Sequence, residues 1–227
     1  MLIGEWLKGG LTIVGSRTPV DTSRVLNGAA NFLETGRVIR ELGIRIPPRM
    51  SSRLQLFDVA IQEMQSDRPL YLEFGVYEGE TMRYWSEQLA DPNARFFGFD
   101  SFEGLPEDWT VAAERGHFST EGQIPNIADD RVTFVKGWFE ESLTQFKLSD
   151  HGQLFVNVDS DLYSSAITVL DWVAPQFKVG DFLYFDEFHD RLNEGRAFRE
   201  FLDKTGYRIE MAAATRSLSQ VLFRRSA

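Results

Sequence analysis

The chain has 227 residues, no cysteine and a formal net charge of −10. That length suits one α/β domain with a large core and is short for two. The acidic balance opposes nucleic acid and anionic membrane, either of which needs a basic face, and the lack of thiols excludes disulfides, thiolate zinc sites and cysteine nucleophiles. Small-molecule partners are expected. No apolar run approaches ~18 residues, and the mildly apolar stretch 1–14 is interrupted by Glu5 and Lys8 with no small-residue cleavage pattern after it. The protein is therefore read as cytoplasmic.

In chain order, Val25, Leu26, Ala29, Phe32, Leu33, Val38, Ile39 and Leu42 recur at helical spacing and predict a helix over 22–42 that stops at Gly43. Pro47 and Pro48 separate it from a second helix, expected to start at Ser51 or Ser52 and to run through Met64. Residues 1–68 thus read as a helical extension and 69–227 as the main domain. From Pro69 the pattern alternates: strand 71–75, helix 79–90, strand 95–100, strand 132–136, helix 140–147, strand 153–159, helix 161–177, strand 181–187 and helix 194–204. Two extended runs, 207–213 and 218–224, are close enough to pair as a hairpin. The fold class predicted is α/β, a doubly wound, mostly parallel seven-stranded sheet of Rossmann-like type with an antiparallel C-terminal edge hairpin. Residues 101–131 lack periodicity; a loop of this length is a lid over a ligand or a surface excursion held by Phe102, Leu105, Pro106, Trp109 and Phe118.

Several strands end on acids. Glu73, Asp100, Asp159 and the pair Asp186-Glu187 all fall at the carboxyl edge of the sheet, where the strands of an open α/β sheet converge on one crevice. Carboxylates gathered there repel one another unless a cation or hydroxyl donors satisfy them.

The first βα turn, Glu73-Phe74-Gly75-Val76-Tyr77-Glu78-Gly79, has glycines for a tight turn and close ligand approach, but it departs from the dinucleotide fingerprint. Its acids oppose a pyrophosphate and suit a ligand with a cationic head and a nucleoside. Asp100 lies 21 to 25 residues beyond those glycines, where an acid commonly accepts ribose hydroxyls; the alternative is that it caps the turn at Ser101 and Phe102. One of Asp159, Ser160 and Asp161 is expected to cap the helix that follows. Asp159, Asp186 and Glu187 offer oxygen ligands suited to Mg²⁺ or Ca²⁺ rather than zinc. His189 stands two residues past Glu187 as a base or ligand, or merely as a solvated loop residue. After the third strand, Gly137 and Trp138 offer a flat ring to cover a nucleobase, against a plain packing role.

Together Glu73 to Gly79, the run Phe97-Gly98-Phe99-Asp100-Ser101-Phe102-Glu103-Gly104-Leu105-Pro106, Lys136 to Phe139, Asp159-Ser160-Asp161-Leu162-Tyr163 and Phe185 to Phe188 resemble the macrocin O-methyltransferase family over residues 69–205. The resemblance implies a class I S-adenosylmethionine-dependent methyltransferase that uses Mg²⁺ to methylate a sugar hydroxyl of a small molecule or glycoside. It implies that Glu73, Gly75 and Tyr77 line the methionine end of the cofactor, that Asp100 and Ser101 serve its ribose and Trp138 its adenine, and that Val76, Gly79, Phe102 and Gly137 also bind the cofactor. Asp159, also beside the cofactor, would share the metal with Asp186 and Glu187. The residues at 1–68 would shape the acceptor pocket, and a homo-oligomer is expected. Glu187 departs from members that carry two successive aspartates. The chemistry asks for a base to take the hydroxyl proton: Asp159 or Asp161, with His189 as a further candidate. A nucleotide-binding oxidoreductase of the same fold class, or a noncatalytic cofactor-binding module, would be distinguished by bound nicotinamide or by absence of methyl transfer.

Overall fold

Five strands, β1 (Leu70–Phe74), β2 (Arg95–Asp100), β3 (Val132–Lys136), β4 (Leu154–Val158) and β5 (Phe182–Phe185), run parallel. An antiparallel pair, β6 (Ile209–Ala214) and β7 (Val221–Arg225), completes one sheet in the order β3-β2-β1-β4-β5-β7-β6. The computed structural model describes every residue except 1–3, 65, 111 and 149, and the side chains of all described residues but 20, 21, 23 and 24. Every residue of β1, β4 and β5 is buried, which explains why they read as continuous apolar runs rather than alternating ones.

Because side chains alternate across a strand, the two faces carry separate cores. On one, Phe74, Phe99, Val156 and Phe185 pack with Val169 of α6 (Tyr163–Val173) and Phe198 of α7 (Glu194–Thr205). On the other, Tyr71, Phe96, Phe155 and Tyr184 pack with Phe57 of α3 (Arg53–Glu63) and Trp85 of α4 (Glu80–Gln88). A short α5 (Phe139–Gln145) follows β3. The order of connections reverses between β1 and β4, so their carboxyl ends diverge into a crevice.

Two differences from the sequence reading have simple causes. The stretch before residue 16, for which no element is predicted, holds helix α1 (Glu5–Gly15); it buries no residue, and Gly9 and Gly10 blur its periodicity. It leads into α2 (Val20–Glu41), whose C-terminal part docks through Ile39. The helix predicted over 161–177 ends at Val173 and tightens into a single 3₁₀ turn, because Pro175 has no amide to donate. Among the described residues no helix is long and apolar enough to cross a membrane.

Candidate active site

An open cleft of about 1330 Å³, counted out to bulk solvent, lies at the carboxyl edge over β1 and β4. Its geometry begins at Gly75, whose φ is +94°. A Cβ there would stand 1.8 Å from the Asp159 carbonyl oxygen, so only glycine lets the β1 turn pass the end of β4. The turn is then fastened to β2: Asp100 Oδ2 accepts the amides of Val76 (2.8 Å) and Tyr77 (2.9 Å), and Oδ1 accepts that of Phe102 (2.7 Å). The capping role of Asp100 is thus real. Two carboxylate oxygens offer about four acceptor positions, so room remains for a ligand hydroxyl.

Glu73 is 1 % exposed yet faces the cleft. Burial, with the charge of Asp100 adding to it, pushes its pKa well above the usual carboxylate range; the Tyr71 hydroxyl, 3.3 Å away, and Arg53 oppose the shift. Asn157 donates to that hydroxyl at 3.1 Å, while its own Oδ1 has no protein partner. A buried acid with one weak donor favours a cationic ligand. On the β3 side, Gly137 donates to the Asp100 carbonyl at 2.9 Å, and Gly137 and Trp138 form the neighbouring wall.

The other half of the cleft gathers Asp159, Asp161, Asp186 and Glu187. Asp159 and Asp186 each stand one residue past a strand end, on adjacent strands. None of the trio 159–161 caps α6, contrary to expectation: the residue before the helix is Leu162, and the amide of Tyr163 is accepted at 3.0 Å by Asn193 Oδ1 from the loop before α7. Asp159 and Asp161 are left free of that structural duty. Burial first, then Asp186, pushes both upward: Asp159 well above its usual range and Asp161 to about 7. Glu187 is likewise raised to about 7 by burial and by Asp186 and Asp161.

The three-carboxylate metal cluster expected from Asp159, Asp186 and Glu187 is not assembled as the side chains stand. Among the described residues no three Asp, Glu or His groups converge to hold an ion. Arg53, at the start of α3, instead points into the acids, 3.4 Å from Asp186 and 3.9 Å from Asp159, and the Tyr184 hydroxyl donates to Asp186 at 2.6 Å. The chemistry of the set still fits a hard cation, since every donor is oxygen and Asp159, Asp161 and Glu187 are all held in disfavour of their charge.

His189 is not among the cleft-lining residues. Phe32 of α2 stacks flat on its ring, with centroids 4.8 Å apart and planes 9° from parallel. Its Nδ1 lies 3.2 Å from Glu187 without hydrogen-bond alignment, and burial lowers its pKa. Phe102 also turns away: it is buried against Phe134 and touches the site through its amide alone. Gly79 serves as the left-handed entry to α4, and Ser101 takes the Glu103 amide at 3.0 Å while lining the cleft. The first part of the 101–131 segment, residues 101–110, is fastened to the domain: Trp109 donates to Asp190 (3.3 Å) and Ser164 to Glu107 (2.7 Å), with Leu105 packed near Leu162. Arg53 and Asn193 escape sequence reading, because their roles exist only across elements distant in the chain.

This sheet order, with a cofactor-sized cleft at the reversal point, is that of a Rossmann-like methyltransferase. The chain belongs to a methyltransferase-domain family, matched over residues 72–188. Among curated proteins it is similar to the 8-demethyl-8-(2,3-dimethoxy-alpha-L-rhamnosyl)-tetracenomycin-C 4'-O-methyltransferase of Streptomyces olivaceus, with 27 % identity over 138 residues, 52 % of each chain. It thus spans about half the length of that relative. Among solved structures, the O-methyltransferase NovP superposes with a TM-score of 0.60 at 20 % identity, covering 76 % of this chain and 80 % of its own. The calicheamicin methyltransferase CalS11 gives 0.57 at 18 %, covering 99 % and 94 %. These likenesses establish the fold.

Proposed function

We propose that the protein transfers a methyl group from S-adenosylmethionine to a hydroxyl of a sugar or similar vicinal diol in a small molecule or glycoside. The observation that supports this reading is the division of one cleft into two acidic halves, one suited to a cationic nucleoside ligand and one gathering Asp159, Asp161, Asp186 and Glu187, of which neither Asp159 nor Asp161 caps α6. Glu73 offsets the cofactor's ammonium, Asp100 and Ser101 accept its ribose hydroxyls, and Trp138 covers its adenine. Asp161 is the favoured base, because it lines the cleft, takes no part in capping α6 and is not among the proposed metal ligands; Asp159 is the alternative. The acceptor oxygen bonds to the methyl carbon as the carbon–sulfur bond breaks, and its proton passes to the carboxylate, leaving S-adenosylhomocysteine. Asp159, Asp186 and Glu187 would hold a divalent cation such as Mg²⁺, which when bound lowers the pKa of a chelated hydroxyl. Arg53 then gives up its place between the two aspartates.

The rhamnosyl 4'-oxygen named for the Streptomyces relative supports a sugar acceptor. The N-terminal helices shape the acceptor side, since Arg53 and Phe32 both reach the acid cluster or its border. The exposed Trp6, Leu11, Ile13, Val25, Leu26 and Leu33 of α1 and α2 support a homo-oligomer. Calorimetry with S-adenosylmethionine, followed by methyl transfer to a panel of rhamnosides with and without chelator, tests the reading. Absence of cofactor binding would sink all of it, whereas chelator-insensitive turnover would sink the metal alone.

A further inference from the structure

Glu194 opens α7 and in sequence is an ordinary first-turn acid, a position where carboxylates are usually exposed and weakly favoured by the helix dipole. Here its side chain is wholly buried, at 0 % exposure, and lies outside the cleft-lining set. Its two oxygens face two different loops. Oε1 accepts the amide of Ser160 at 3.3 Å, and Oε2 accepts the amide of Glu187 at 2.8 Å. Ser160 stands between Asp159 and Asp161, and Glu187 follows Asp186. One carboxylate therefore bridges the two turns that carry all four acids of the acceptor half.

The approach is built in. Gly195 lies so close to the β5 loop that a Cβ there would meet the Phe188 carbonyl at 2.8 Å and the Asp190 carbonyl at 3.0 Å, which brings the start of α7 within reach of both turns. Glutamine does not match this place: it has one acceptor oxygen and would turn its NH₂ against the second amide. Aspartate is one methylene shorter and reaches one loop only. Burying an acid beside other acids is costly, and a cap for α7 alone does not require it.

We propose that Glu194 is a positioning residue that fixes the spacing of Asp159 and Asp161 relative to Asp186 and Glu187. The inference rests on the reading of those acids as the acceptor site. Both hydrogen bonds of the Glu194 carboxylate go to the acceptor half, whereas the Gly75 turn is held by Asp100.

The test compares wild type, Glu194→Gln and a stability control, Leu202→Ala on the same helix. In Glu194→Gln, S-adenosylhomocysteine affinity by calorimetry stays near wild type while kcat with a sugar acceptor falls about 100-fold, the loss that a misplacement near 1 Å brings. Leu202→Ala, with a comparable fall in Tm, keeps its kcat. Should Glu194→Gln fail to fold, Glu194→Asp carries the test with the same split expected. Retained kcat, cofactor affinity lost in step with kcat, or failure of both variants to fold overturns the assignment. Wild-type protein that methylates no sugar overturns the proposed function instead, which the Glu194 variants do not affect.

Discussion

Asp100 and the acids beyond the ends of β4 and β5 are treated in opposite ways across the cleft. Asp100, on the cofactor side, accepts three backbone amides within 2.9 Å and holds the glycine turn in place. Asp161 and Glu187, on the acceptor side, have pKa values raised to about 7 by burial and by their neighbours. An acid satisfied by amides is preorganised to bind; one left frustrated draws in a cation or a proton. The glycine turn of the proposed cofactor half is thus complete in the protein alone, while Glu73 beside it and the acids of the proposed acceptor half are stabilised when something positive enters.

The largest predicted effect lies at the seam between the halves. Gly75→Ala drives a Cβ into the Asp159 carbonyl and denies the backbone its positive φ, so a loss of about 4 kcal/mol or more, or insoluble protein, is expected. Chemical denaturation measures it. A stable, cofactor-binding variant would show that the two strand ends need not touch, and the seam would be no seam.

Asp161→Asn separates the halves. Removing a general base lowers kcat by about 10²–10⁴-fold, whereas S-adenosylhomocysteine affinity should hold, since that residue faces the acceptor side. If calorimetry showed affinity lost along with turnover, the division of labour would be wrong.

How much of this contrast was legible in the chain depends on distance along it. Strands β1, β4 and β5 are readable because strands buried on both faces must be largely apolar, and the acids at the strand ends are readable because topology sends every parallel strand's carboxyl end to one edge. What each acid does was not. Asp159 and Asp161 look like helix caps until Asn193, some thirty residues on, supplies the cap acceptor. Arg53 looks like the first residue of an amphipathic helix, and its place between Asp159 and Asp186 follows from α3 packing on the sheet. His189 looks like a loop base until Phe32 covers it. α1 went unread because it buries none of its residues, so no burial pattern marks it.

The frustration of the acceptor half has a pH signature. Asp161 and Glu187 have folded pKa values raised from 3.8 and 4.5 to about 7, so between those limits the folded state holds protons that the unfolded chain has released. Stability is therefore greatest at the acid end of that window and falls as pH rises through about 7. In the cation-free protein these two groups are expected to cost about 3 kcal/mol from pH 5 to pH 8, allowing for screening; Asp159, Glu73 and Glu194, also raised by burial, act in the same direction, and His189, lowered by burial, opposes them. Glu34, held at about 2 chiefly by its hydrogen bond to Arg37, titrates below this range and does not mask it. Thermal melts across the window check the slope, and Asp186→Asn should reduce it while the part due to burial remains. A flat wild-type profile would mean that these acids are satisfied, and the two halves would no longer differ.

The smallest effect probes how far the acceptor half extends. Phe32 is 42 % exposed, and its evident partner is the His189 ring; removing a stacked pair costs about 1 kcal/mol. Phe32→Ala frees His189 from its cover and loosens α2 beside Glu187. A rise of about 2–5-fold in acceptor KM follows, the worth of that contact if the helix borders the acceptor, with cofactor affinity unchanged. The sign of the comparison matters more than its size. A shift in cofactor affinity instead would place α2 over the methionine end, and the boundary between the halves would have to be redrawn through Glu73 rather than through Asp159.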